Sequence, residues 1–244
     1  MDLKFTWRAW KTRLRDQRCE IAALQAALKN GGIAVDVGAN KGSYLYWLAT
    51  WSRGAQVVAF EPQKKLAQYL GSALQRVGLQ HARVENLALS DQAGEITLYV
   101  PGEGDSPGAS LERSVSEKTH CHEERVRMTT LDIYAKAHFK GPVKALKVDV
   151  EGHEWAVLKG AAHILRTDKP LLIVECEERH LSGGASVRHM IDWVCAYGYR
   201  ASVCTPRGQE FDAALYDASV HQKQTGPRFW DAKDYCNNFI FYPV

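Results

Sequence analysis

The chain has 244 residues, 45% hydrophobic and 24% charged, enough to bury the core of one large domain. That composition excludes a disordered tail, a collagen-like repeat and a disulfide-stapled miniature fold. The formal charge of +3 is unevenly spread: residues 1–18 carry Lys4, Arg8, Lys11, Arg13, Arg15 and Arg18 against Asp2 and Asp16, a local +4, which leaves 25 basic and 26 acidic residues elsewhere.

The six cysteines are scattered without a C-x-x-C pair, and a chain of this size needs no disulfide framework. No apolar run approaches the ~18 residues of a membrane-spanning helix. The first residues alternate aromatic and basic side chains and lack the apolar stretch of a signal peptide. These features predict a reduced, soluble, cytoplasmic protein.

Residues 1–30 predict a basic amphipathic helical lead-in, with Leu14, Ile21, Leu24 and Leu28 on one side. From residue 33 onward, short apolar runs alternate with helical periods. Ile33–Val37, Gln56–Phe60, Ala82–Asn86, Lys144–Val148 and Leu171–Glu175 read as buried parallel strands. Between them, Tyr44, Trp47, Leu48 and Trp51 share one helical face, as do Leu66, Leu70, Ala73, Leu74 and Val77. A further face holds Val157, Leu158, Ala161, Ile164 and Leu165, and another Val187, Met190, Ile191 and Val194. Tyr199–Cys204 and Asn238–Tyr242 complete the strands. The alternation predicts an α/β sheet, Rossmann-like, with helices on both faces. Two polar stretches interrupt it: residues 100–124, joining strands Glu95–Val100 and Arg125–Thr129, and residues 205–237. Loops this long commonly shape a binding site.

The chemistry gathers at predicted strand ends. The first strand runs into Asp36-Val37-Gly38-Ala39-Asn40-Lys41-Gly42-Ser43 and then a helix. Glycine there lets backbone approach a ligand, the helix offers its positive N-terminus, and Asp36 suits an ammonium. Any α/β turn could look similar. Glu61, at the end of the next strand, can accept from both hydroxyls of a ribose, while Pro62 starts a helix. The strand ending at Val148 continues into Asp149-Val150-Glu151-Gly152-His153-Glu154, and Glu175 and Glu177 end its neighbour. Ionisable groups crowded at this edge mark a ligand site, although Glu151 and Glu154 also suit helix capping.

The segments D-V-G-A-N-K-G, F-E-P, Asn86-Leu87-Ala88-Leu89-Ser90-Asp91 and K-V-D-V-E-G-H-E, in this order, resemble the FkbM-type family of S-adenosylmethionine-dependent methyltransferases. The likeness runs from about Ile33 to Glu178, with weaker echoes at His221-Gln222 and Asn237-Asn238-Phe239. It implies a methyltransferase domain over residues 31–244 with a seven-stranded sheet whose last strand is antiparallel. It also implies that Asp36, Gly38, Asn40 and Gly42, with neighbouring Ala39 and Ser43, hold the methionine end of S-adenosylmethionine. Glu61 and Pro62 would take the ribose, and Asn86–Ala88 would lie beside adenine. Members mostly methylate hydroxyls of sugars, glycolipids and secondary metabolites.

An alcohol needs a base to take its proton, and Asp149, Glu151, His153 and Glu175 are the candidates, with Asp149 preferred at the reaction centre. Lys147 is either a catalytic group or the partner of an acid. His120-Cys121-His122 places metal donors in a row, but adjacent side chains cannot converge, so no zinc site is expected. Mg²⁺ held by Asp149, Glu151 and Glu175 is the lesser reading of those acids. Trp7, Trp10 and Trp230 are the candidates for carbohydrate contact. The expected partner is a small-molecule, glycan or glycolipid acceptor; contact of residues 1–18 with a membrane surface is a further expectation. A nucleic-acid methyltransferase is disfavoured by the neutral body. A non-catalytic nucleoside-binding protein, or a nicotinamide oxidoreductase lacking its G-x-G-x-x-G, is the remaining alternative.

Overall fold

A computed structural model describes residues 2–113, 120–181, 184–226 and 228–244. The N-terminal thirty residues form α1 (Leu3–Lys11), a π-helical turn (Thr12–Asp16) and α2 (Arg18–Ala27). The strand–helix alternation follows with β1 (Ile33–Val37), α3 (Ser43–Trp51), β2 (Val57–Phe60), α4 (Lys64–Arg76) and β3 (Ala82–Glu85). Next come β4 (Ala88–Leu89), β5 (Gly94–Pro101), β6 (Cys121–Thr129) and α5 (Leu131–His138). The second half holds β7 (Val143–Val148), α6 (Glu154–Lys159), α7 (Ala162–Thr167), β8 (Leu171–Glu175), α8 (Val187–Cys195) and β9 (Tyr199–Cys204). The chain ends with β10 (Glu210–Asp212), α9 (Ala218–His221) and β11 (Asn238–Pro243).

The main sheet has eight strands in the order β3-β2-β1-β7-β8-β11-β9-β10. Strands β3 to β8 pair in parallel, and β11 inserts antiparallel between β8 and β9. The seven predicted strands are therefore present, and the edge strand β10, inside the polar stretch 205–237, is an eighth. A small second sheet, β4-β6-β5, sits beside the main one.

Period-two alternation sends Ile33, Val35 and Val37 of β1 into one core with Leu131, Val157, Leu165 and Val194. Ala34 points to the other core, with Phe5, Ile21, Leu45 and Leu70. The same parity puts Asp36, Lys147, Glu175 and Asn238 on the second face, at strand tips beneath the N-terminal helices. The lead-in is thus part of the fold. Phe5 and Ala9 are fully buried, and the Trp47 indole donates to the Ala9 carbonyl at 2.8 Å. Gly42, at φ 79°, has no Cβ because the Phe5 ring occupies that space, 2.4 Å from where one would stand.

Two expectations need correction. Ile21, Leu24 and Leu28 are buried as predicted, but Leu14 is 65% exposed because it lies in the π turn, outside the helical period of α2. The single helix predicted across Val157–Leu165 is two, broken at Gly160. A Cβ there would stand 2.0 Å from the Ser90 carbonyl oxygen. Asp132 of α5 accepts from His163 and Ile164 amides at 2.8 and 3.1 Å and so caps α7 from outside.

Removing the Phe5 ring leaves a cavity under Gly42, so Phe5→Ala should cost ~3 kcal/mol or more in urea unfolding. A cost below ~1 kcal/mol would mean that the arm is not packed as described.

Candidate active site

The tips of β1 and β7 meet at the centre of the sheet. Asp149 donates its amide to the Val37 carbonyl at 3.0 Å, and a Cβ on Gly38 would stand 1.7 Å from the Asp149 carbonyl oxygen. Only glycine, here at φ 78°, allows that approach. Two cavities share Gly38, Asn40 and Asp149 as a common wall.

The first cavity, about 70 Å³, is mostly apolar: Phe60, Leu87, Ala88, Leu89, Leu98 and Leu111 surround it, with Glu61 and Pro62 on one side. Glu61 is almost fully buried. Its two oxygens accept from the backbone amides of Asn40 (2.8 Å) and Gln63 (2.9 Å), and burial pushes its pKa up to about 7. Gln63 reaches across the opening, donating to the Ser106 carbonyl at 3.0 Å and accepting from the Ser106 amide at 2.9 Å. Ser110 adds a second tie, its hydroxyl donating to the Glu151 carbonyl at 2.5 Å. The described part of the 100–124 stretch therefore covers this cavity, as its length predicts; residues 114–119 lie outside the described residues.

The second cavity, about 260 Å³, is polar. Asp36, Lys41, Ser43, Tyr44, Lys147 and Asp149 form its floor and sides, and Arg8, Thr12, Asp16 and Gln17 of the arm close it. Lys147 pairs in register with Asp36, donates to Asp149 Oδ2 at 2.7 Å and lies 4.8 Å from the Tyr44 ring centroid. Burial alone would lower its pKa, but Asp149 and Asp36 outweigh that and hold the ammonium charged. Asp36 is 1% exposed and neither of its oxygens makes a hydrogen bond of ordinary geometry, although the Leu45 amide lies near; burial, opposed by Lys147, pushes its pKa up to about 6. Asn40 Oδ1 and Asn238 Oδ1 are likewise buried acceptors without partners. Buried acceptors left open cost free energy unless a donor arrives. This floor awaits a cationic or multiply donating group.

Beyond Asp149 the acids crowd. Glu151 sits at φ 52°, a conformation costly outside glycine, and burial with Asp149 nearby pushes its pKa up to about 8. Burial and Asp149 drive Glu175 well above the carboxylate range, and its Oε1 accepts from Asn237 at 2.8 Å. Behind them, His180 Nδ1 lies 3.9 Å from Glu151 Oε2, and burial with Arg179 nearby lowers its pKa, so the ring is neutral. Glu177 pairs with Arg179 at 2.6 Å and accepts from the Tyr235 hydroxyl.

An apolar slot with an adjoining buried acid, joined at a glycine turn to a floor of open acceptors, suits a nucleoside bearing an ammonium. Residues 36–201, more than half the chain, match the Methyltransferase FkbM domain. The chain belongs to the FkbM methyltransferase family. Among solved structures, the fold resembles an FkbM methyltransferase from Methylobacillus flagellatus, with a TM-score of 0.54 and 17% identity. That match covers 87% of this chain and 44% of the other, so the present chain spans less than half its length. Looser matches are an rRNA methylase from Streptococcus thermophilus (TM-score 0.45, 13% identity, 92% and 93% of the two chains) and a SAM-dependent methyltransferase from Aquifex aeolicus (TM-score 0.44, 15% identity, 98% and 95%). No curated protein matches the sequence.

Within this FkbM domain, Asp36, Gly38, Ala39, Asn40, Ser43, Glu61, Pro62, Ala88, Asp149 and Glu151 line the two cavities. Gly42, Asn86, His153, Glu154 and Glu175, also singled out in the sequence, line neither cavity. The space where a Gly42 side chain would stand is filled by Phe5 and Leu70. Asn86 donates to the Glu61 and Pro62 carbonyls and braces the wall without forming it. His153 lies apart from the cleft: its Nδ1 meets Glu112 at 2.6 Å and its Nε2 meets the Ser90 hydroxyl at 2.9 Å. Glu154 accepts from the Val150 and Gly152 amides and tightens the turn.

Asp149, Glu151 and Glu175 do not bring their donor atoms together. Among the described residues, the group of three that does is Cys19, Glu20 and Cys204. Trp230 stands with Phe229 over Arg179, on the Glu177 side of the cleft, whereas Trp10 packs edge-on against Trp47. The sequence reading missed Arg8, Thr12 and Gln17, the Gln63–Ser106 clasp and His180. Only His180 had a signal, since it follows the acid pair Glu177-Glu178 at a strand end.

Asp36 makes the ligand-free protein pH-sensitive. Its folded pKa of about 6 lies above the ordinary 3.8, so between those values the folded state binds more protons. The stability from this group is full below the lower value and is lost as pH rises through the higher, about 3 kcal/mol by neutral pH. Asp36→Asn should remove that slope and stabilise the ligand-free protein at neutral pH. Urea unfolding at acid and neutral pH measures it, and an unchanged slope would assign the effect elsewhere.

Proposed function

We propose that this protein transfers a methyl group from S-adenosylmethionine to a hydroxyl of a glycan, glycolipid or similarly hydroxylated metabolite. The observation that carries the reading is the buried Asp36 carboxyl, without a hydrogen bond of ordinary geometry, beside Lys147 on the floor of the polar cavity. Lys147 donates to Asp149 and not to Asp36, so the buried Asp36 carboxyl keeps its acceptors open. An amino-acid ammonium supplies three hydrogen-bond donors and a positive charge to such a group.

The apolar cavity is the slot assigned here to the purine, with Glu61 placed to accept from ribose hydroxyls through lone pairs not used by the Asn40 and Gln63 amides. When bound, the sulfonium supplies an electrophilic methyl group that needs no further activation. The chain's own task is then alignment and exclusion of water. Gln63 and Ser106 hold the cover over the first cavity, and the arm closes the second. Asp149, on the shared wall, is the residue nearest the reacting centre. It orients the acceptor while Lys147 holds its carboxylate.

Glu151 takes the acceptor's proton. With a pKa of about 8 it is partly ionised near neutrality, and a carboxylate with so high a pKa is a strong base for its type. Trp230 and Phe229, packed over Arg179 of the Glu177–Arg179 pair, offer apolar faces for a sugar ring.

Calorimetry with S-adenosylhomocysteine should show binding that Asp36→Asn abolishes, even though that variant is stabilised. Turnover of a hydroxylated acceptor, found by labelling fractionated glycans, lipids and RNA, should rise with pH through about 8 as Glu151 ionises. Glu151→Gln should lower kcat by roughly 10²-fold or more with homocysteine-nucleoside affinity retained. Label entering RNA alone, or full activity in Glu151→Gln, would overturn the assignment.

A further inference from the structure

Four large apolar side chains stand exposed on the arm: Leu3 (70%), Trp7 (63%), Trp10 (47%) and Leu14 (65%). Leu3, Trp7 and Trp10 recur at intervals of four and three residues, the spacing of one stripe on α1, and Leu14 follows in the π turn. Lys4, Arg8 and Lys11 repeat the same intervals one residue later and form a basic stripe alongside, and Arg15 follows in the π turn. The opposite side, Phe5, Ala9 and Thr12, is buried in the fold. The helix therefore has two apolar faces, and the protein covers only one.

We infer that the outer face of the N-terminal arm is a docking surface for an anionic lipid bilayer. Tryptophan and leucine flanked by lysine and arginine on a helix lying flat match the chemistry of the headgroup boundary. The local charge of +4 over residues 1–18 adds attraction to acidic headgroups. A second copy of the chain is a poor occupant, because two such faces would bring their basic stripes together. The docked helix also walls the polar cavity through Arg8, Thr12, Asp16 and Gln17, so docking sets the cleft beside the headgroups. Delivery of a glycolipid acceptor from that surface rests on the methyl-transfer reading above; the surface itself does not.

The test is co-sedimentation of the full chain with vesicles of phosphatidylcholine alone and of phosphatidylcholine mixed with phosphatidylglycerol. Binding is expected to the mixed vesicles and to weaken as salt is raised. The double variant Leu3→Ser, Trp7→Ser should lose about tenfold or more in partitioning, and Lys4→Glu a smaller factor, with thermal midpoints unchanged.

Wild-type protein left in the supernatant with mixed vesicles would overturn the inference, as would double-variant binding equal to wild type. A wild-type dimer in light scattering that the double variant converts to monomer would also overturn it, by assigning the face to a second copy. Calorimetry with S-adenosylhomocysteine on the same preparations separates the two proposals. Nucleoside binding without vesicle binding defeats this inference alone, and vesicle binding without nucleoside binding defeats methyl transfer alone.

Discussion

An ammonium buried between carboxylates at a strand tip governs this molecule. Lys147 is almost fully buried, and its charge is held chiefly by Asp149, which accepts from it at 2.7 Å, with Asp36 in register beside it. The same arrangement leaves Asp36 without a hydrogen bond of ordinary geometry, so the ligand-free site carries a polarised, incompletely satisfied floor. Sites of this kind trade stability for recognition. Neighbouring features enclose that floor: the Tyr44 ring lies 4.8 Å from the ammonium, β1 and β7 meet at the Gly38–Asp149 contact, and residues of the arm line the cavity.

That contact also sets the order of the acids. Because Asp149 leaves β7 against Gly38, the chain turns sharply through Glu151 and Gly152, both at positive φ, before α6 begins. Glu154 secures the turn by accepting from two amides within it. Glu151 is thereby held in the cleft while His153, two residues on, is carried to the far side and into the Ser90–Glu112 contact. Two residues of backbone separate a group facing the cleft from one that braces the scaffold.

The sheet was readable because its strands are short apolar runs, and the glycine turn, Glu61 and Asp149 because strand ends in α/β folds are where polar residues interrupt such runs. What stayed hidden depends on contacts between distant segments. Nothing local in Gly42 says that a phenylalanine 37 residues earlier fills its missing side chain. Nothing in Gln63 announces Ser106, and Gly160 looks like any helical glycine until Ser90 is placed against it. Leu14 follows the helical period, yet a π turn takes it out of the core, and π turns leave no periodic trace. His153 and His180 illustrate the same limit, since exposure to the cleft is decided by neighbours absent from the local sequence.

The arm that closes the polar cavity bears on where the functional unit begins. The segment matching the family starts at residue 36 and contains the four principal motifs, but four residues of the cavity wall come from residues 8–17. A version cut at residue 31 would keep the entire signature while opening the floor of the site to bulk water. Motif content and a working enclosure are separable properties here, and a gene fragment chosen by its signature alone would deliver only the first.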